Sequence, residues 1–175
     1  HFDHGLTKDR VHKAIALGFS SVMYDCSTLS YDMTVKEVAQ MVKFAHDHGI
    51  SVEAELGHVG ANSSSAEGSG EGDKSIYTDP MEAKIFAEAT EVDALAVAIG
   101  TAHGAYKSKP KLDFDRLAEI ASIVKTPLVL HGGSGLSDDD FRHAIANGIS
   151  KVNIFTDINN ASAKTAHDYF EAGLG

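Results

Sequence analysis

Residues 94–104 read Ala-Leu-Ala-Val-Ala-Ile-Gly-Thr-Ala-His-Gly. An unbroken apolar run, Ala94–Ile99, gives way at once to glycine, a hydroxyl residue and a glycine-flanked histidine. A run of this length and composition reads as a strand covered on both faces, as in a parallel α/β sheet. The glycines let the chain leave extended geometry where the strand ends.

The same plan extends to either side. Phe19–Asp25 and Ser51–Leu56 read as strands upstream, Pro127–Leu130 and Lys151–Phe155 as strands downstream, and His1–Asp3 as the tail of one more. Helices are expected between them. One runs over Lys8–Leu17, and another over Val35–His48, where Val35, Val38, Met41, Val42 and Ala45 keep helical spacing and Gly49 supplies the stop. Asp79-Pro80 opens a helix through Thr90, with Asp79 as its cap and Pro80 in its first turn. Further helices follow over Asp113–Val124, from Ser137 to Asn147, and onward from Thr156 or Asp157.

About six βα units in series suit either a doubly wound sheet or a (β/α)8 barrel. No Gly-x-Gly-x-x-Gly follows a strand, which disfavours the first. A full barrel takes about 250 residues. The 175 residues therefore read as a single domain over 1–175, a TIM barrel truncated at both ends. The chain opens on His rather than Met, inside a motif, and reads as an internal fragment.

Composition narrows the function. Hydrophobic residues make up 43% and charged residues 23%, ordinary values for a globular protein. No apolar run approaches the roughly 20 residues that span a bilayer, so no membrane partner is expected. A net charge of −10 argues against a broad nucleic-acid surface. It leaves room for a small anion, because backbone N–H groups at helix N-termini bind phosphate without net positive charge. A single cysteine, Cys26, excludes an internal disulfide, points to a cytoplasmic protein, and is read as a small packed side chain.

The strand ends carry the chemistry. In an α/β barrel the loops after the strands build the active site. Those ends hold Asp3-His4-Gly5, Asp25-Cys26-Ser27, Glu53-Ala54-Glu55, His103-Gly104, His131-Gly132-Gly133-Ser134-Gly135 and Asn153-Ile154-Phe155-Thr156-Asp157. His12, His46, His48, His143 and His167 fall on expected helices, and His58 stays undecided. His4, His103 and His131 each sit at a strand end beside glycine, the pattern expected of one catalytic Zn²⁺ with a coordination position left open. His1 is better placed to support that centre than to ligate it. Gly132–Ser134 and Asn153–Thr156 are the last two strand ends in the chain, the region where barrels frequently bind phosphate. Gly60–Gly72 (GANSSSAEGSGEG) has no core-forming pattern and reads as a lid over the site.

Taken together, HFDHG, GFSSVMYDCS, SVEAELGHVG, YTDPMEA, VDALAVAIGTAHGAY, PLVLHGGSG and KVNIFTD resemble the class II, metal-dependent ketose-bisphosphate aldolases along essentially the whole chain. The resemblance implies a (β/α)8 barrel, a dimer or tetramer when full length, and a phosphorylated sugar as partner. It implies reversible cleavage of a fructose or tagatose 1,6-bisphosphate to dihydroxyacetone phosphate and glyceraldehyde 3-phosphate. It assigns zinc to His4, His103 and His131 and acid–base work to Asp3. It assigns substrate binding to Gly104, Gly132, Gly133, Ser134, Asn153, Ile154, Phe155 and Thr156. Asp25 and Glu55 match carboxylates that form an alternative or second cation position in some members; plain hydrogen bonding is the competing reading. Adjacent Asp3 and His4 can serve one site only if the backbone is irregular there, since a regular strand sends neighbours to opposite faces.

Stabilising the same carbanion through a lysine Schiff base is disfavoured: the strands Ala94–Ile99 and Pro127–Leu130 hold no lysine, and Lys151 begins its strand, away from the catalytic end. The family's mobile loop carries an acid just after Gly-Gly; here that stretch is Gly60-Ala61-Asn62-Ser63, and the acids arrive later. Glu67 or Glu71 is the expected loop acid. Two rivals remain at this level. A metal-dependent barrel hydrolase predicts a His-x-His pair on an early strand, which is absent; a non-catalytic barrel subunit sits poorly with the retained histidines and Asp3.

Overall fold

The computed structural model describes residues 1–57, 60–61, 77–104, 106 and 109–174, with backbone alone at 60–61. In chain order the elements are β1 (Phe2–Gly5), α1 (Lys8–Ala16), β2 (Ser21–Tyr24), α2 (Tyr31–His46), β3 (Ser51–Leu56), β4 (Gly60–Ala61), α3 (Pro80–Thr90), β5 (Ala94–Val97), β6 (Ala102–His103), α4 (Phe114–Ile123), β7 (Leu128–Leu130), α5 (Asp138–Ala146), β8 (Ile149–Val152) and α6 (Thr156–Glu171).

Six strands form one parallel sheet in the order β1-β2-β3-β5-β7-β8. That order follows the chain without reversal. A doubly wound sheet reverses direction at its switch point, whereas a barrel wall does not. The sheet is thus an open arc of a (β/α)8 barrel, as expected.

Alternation along the strands separates two environments. Val52, Ala54, Leu95, Val97, Ile99, Leu128 and Leu130 face the helices and join Val11, Val38, Met41, Phe86, Leu117 and Ile120 in the apolar core. The intervening residues face the inside of the arc: Glu53 and Glu55 on β3, Ala96 on β5 and Ala98 just beyond it, Val129 on β7 and His131 just beyond it, Lys151 on β8 and Asn153 just beyond it. Ala96 lies opposite Glu55 in the ladder, and its short side chain leaves the space into which the glutamates project.

Local chemistry sets most boundaries. Asp79 accepts hydrogen bonds from the N–H groups of Met81 and Glu82, with Pro80 in the first turn. Asp113 caps α4 through Arg116 N–H. Ser137 and Asp140 form a reciprocal capping box on α5. Ser137→Ala is expected to destabilise the chain by about 1 kcal/mol in urea titrations at pH 7. The Ser137 hydroxyl holds the Asp140 carboxyl below its ordinary range. A depressed carboxyl stabilises the fold above its unfolded pKa of about 4 and loses that contribution as pH falls further. The cost of Ser137→Ala should therefore shrink below about pH 4.

One expectation needs correction. Lys151–Phe155 is not the last strand; β8 spans Ile149–Val152. Its partner β7 ends at Leu130, which pairs with Val152, so the ladder has nothing further to bond except Asn153 N–H to Leu130 O. Of the expected lid, Gly60–Gly72, residues 62–72 lie outside the described residues. Gly60–Ala61 pairs in parallel with Ala102–His103 as a separate two-stranded sheet. Among the described residues, α6 buries none of its side chains, and no helix is long and apolar enough to cross a membrane.

Candidate metal centre

Building the site starts at His4, whose φ is +47°, left-handed geometry rare for a residue with a side chain. The β1–β2 register slips between Phe2 and Gly5. This is the irregularity that the Asp3-His4 pair demanded. It turns both side chains toward the same cleft.

The rings of His4, His103 and His131 converge. Centroids lie 5.0 Å apart for His4–His103 and His4–His131, and 5.6 Å for His103–His131. One donor atom from each, with a Glu55 carboxylate oxygen, lies within 4.8 Å of every other. His103 and His131 arrive from strand ends 28 residues apart in sequence, and the parallel sheet makes them neighbours.

Second partners orient the rings. His4 Nδ1–H donates to Asp25 Oδ2 at 2.8 Å, which leaves Nε2 for the cluster. The bond to His4 holds the Asp25 carboxyl well below the usual carboxylate range, and Asp25 in turn raises His4. His131 is 0% exposed, and its Nε2–H donates to Glu53 Oε1 at 2.9 Å. The Glu53 carboxylate also accepts from Lys151 Nζ at 2.5 Å and from Asn153 Nδ2 at 3.3 Å. A carboxylate on the outer nitrogen of a ligating histidine fixes tautomer and ring orientation.

The decisive detail is what faces the other side of His131. Its Nδ1 and Glu55 Oε2 are buried without hydrogen-bond partners, and they lie 3.0 Å apart. A ring lone pair against a carboxylate oxygen is repulsive unless positive charge stands between them. Burial alone opposes charge on His131, yet Glu53 and Glu55 outweigh it and push the ring up to about 9. A proton or a metal ion meets that demand, and three imidazoles with one carboxylate are donors suited to Zn²⁺. The residues therefore fit the metal that the sequence pattern implied. His103, by contrast, is lowered by burial.

A cleft of about 570 Å³ opens over this cluster. Asp3, His4, Asp25, Glu55 and His103 line one part; Gly104, Gly132, Gly133, Ser134, Asn153, Phe155 and Thr156 line the rest. His131 lies just beneath the floor. Ile154 is not among the walls: its side chain packs on Gly133, where an added Cβ would come within 3.1 Å of Ile154 Cγ1. Asp3 is held by Asn153, whose Nδ2 donates to Asp3 Oδ1 at 3.2 Å across 150 residues of sequence. His1 stands beside the cluster, as expected: Nδ1 pairs with Ser21 Oγ at 2.8 Å, and Nε2 is 3.8 Å from Asp3. Glu67, Glu71 and His58 lie outside the described residues.

Gly132 has φ +68°, and a Cβ there would meet Ala102 O at 2.5 Å. Gly132→Ala is expected to cost about 1–3 kcal/mol in chemical unfolding, through left-handed strain alone. Unchanged stability would mean the turn is not built as described.

A family model described as "Fructose-bisphosphate aldolase class-II" matches residues 1–173. The chain belongs to the class II fructose-bisphosphate aldolase family. As a family member it is similar to the YdjI aldolase from Escherichia coli K12, with 38% identity and a TM-score of 0.81 over 95% of this chain and 56% of that one. It is also similar to a fructose-bisphosphate aldolase from Campylobacter jejuni, with 25% identity and a TM-score of 0.71 over 92% of this chain and 51% of that one. The chain thus spans about half the length of these aldolase structures.

Glu53 is the residue that sequence reasoning left without a role. The available signal was its spacing: Glu53 and Glu55 alternate with Val52, Ala54 and Leu56, so both carboxylates share one face of an otherwise apolar strand. Lys151, set aside as a nucleophile, is the counter-charge to Glu53.

Proposed function

We propose that this chain carries the catalytic centre of a lyase. It cleaves a ketose 1,6-bisphosphate, fructose or tagatose, reversibly to dihydroxyacetone phosphate and glyceraldehyde 3-phosphate. The supporting observation is the placement of Asp3, held by Asn153, in the same cleft as the four-donor cluster.

In this reading His4, His103 and His131 hold Zn²⁺. A Glu55 carboxylate oxygen stands within 4.8 Å of the three ring donors without being counted as a ligand, so a position stays open for substrate, and Asp25 serves the His4 ring rather than a second cation. Bound there, zinc supplies Lewis-acid stabilisation of the negative charge that builds as C3–C4 breaks. Asp3 takes the proton from the C4 hydroxyl in cleavage and returns it in condensation. The glycine-rich turn at Gly132–Ser134 and the start of α6 present N–H groups to a phosphate. Ser134 braces that start by accepting from Asp157 N–H at 3.1 Å, while Asp157 accepts from Gly135 N–H at 2.8 Å. Glu67 or Glu71 moves the proton at C3. Each is replaced singly by Gln; slowed exchange of the C3 proton in one identifies the acid, and normal exchange in both removes the assignment.

The test of the whole reading is cleavage of both bisphosphates with zinc present, with EDTA, and after zinc is restored. Activity should vanish with the chelator and return with zinc. Cleavage that persists in EDTA would overturn it.

A further inference from the structure

Ala102–His103 stands apart from the six-stranded sheet, paired only with Gly60–Ala61 among the described residues. His131 and Gly132 likewise lie past the end of β7. Both segments carry cluster ligands beyond the ladder that aligns the strands. One side chain bridges them. Tyr106 Oη accepts from Ala102 N–H at 2.9 Å and donates to Gly132 C=O at 2.8 Å. Its ring lies against Gly135, where an added Cβ would approach Tyr106 Cδ2 to 3.2 Å. Among the described residues these are the hydrogen bonds that tie the His103 segment to the His131 turn. Tyr106 does not line the cleft.

We propose that Tyr106 is a positioning residue: its hydroxyl sets the spacing between the His103 and His131 ligand segments and the Gly132–Ser134 turn. The inference rests on the proposed metal centre. Without the hydroxyl, Ala102 N–H and Gly132 C=O lose a shared partner, and the two segments can separate. The ligands then pay part of their alignment on binding, which weakens the metal and misplaces the phosphate turn together.

Tyr106→Phe keeps the ring against Gly135 and deletes only the bridge. Zinc affinity of the full chain, measured by competition with a chromophoric chelator, should fall about tenfold, the usual scale for losing support behind a ligand. Tyr169→Phe removes a hydroxyl from the exposed α6 and should leave zinc affinity unchanged. Circular dichroism of the zinc-free chains separates lost positioning from lost folding. Zinc affinity of Tyr106→Phe within about twofold of wild type, an equal drop in Tyr169→Phe, or an unfolded Tyr106→Phe chain each overturns the proposal. A wild-type chain that binds no zinc overturns the proposed function as well. One that binds zinc with Tyr106→Phe unaffected overturns this inference alone.

Discussion

Asp3→Ala is expected to keep zinc and to lose the proposed cleavage. The Asp3 carboxylate stands outside the four-donor cluster, with Asn153 as its partner, and its side chain is 41% exposed toward the cleft. Removing it leaves the His4–Asp25 bond intact, so the ligand ring keeps its orientation. What disappears is the group proposed to move the C4 hydroxyl proton. Loss of a positioned acid–base group costs about 10²–10⁴-fold in rate. Metal content by atomic absorption and kcat for the bisphosphate, measured on one preparation, decide the matter. Zinc lost along with activity would make Asp3 a support for the metal instead of the acid–base residue.

His131→Ala should be the most damaging single change. The ring stands between Glu53 and Glu55, all three at or near full burial. Its removal deletes a proposed zinc donor and strands two carboxylates, of which only Glu53 retains Lys151. Breaking a buried charged cluster on one side costs about 3–5 kcal/mol. The expected result is absence of bound zinc and an unfolding free energy from urea titration lowered by that amount even in zinc-free buffer. A zinc-free stability equal to wild type would show that the ring carries no charge between the carboxylates.

Much of the fold was legible because its signals are local. Asp79-Pro80, Asp113 and Ser137 sit where α3, α4 and α5 start, and a cap is a contact between residues two or three apart. The end of β8 was not legible, because it depends on where β7 runs out of hydrogen-bonding groups. The pairing of Gly60–Ala61 with Ala102–His103 was equally hidden, since two-residue strands leave no periodicity to read.

The site divides along the same line. His4, His103 and His131 could be picked out by residue type and flanking glycine at strand ends, and the Asp3-His4 adjacency by itself required an irregular backbone. Glu53 behind His131, Lys151 behind Glu53 and Tyr106 between two turns could not be picked out in this way. Those contacts join residues 78, 98 and 26 positions apart. Residue chemistry and strand spacing by themselves determined which side chains meet at the mouth of the arc. The curvature of the parallel sheet alone decided which of them touch the cluster and which stand behind it. Strand curvature and register set those distances, and neither is a property of a single segment.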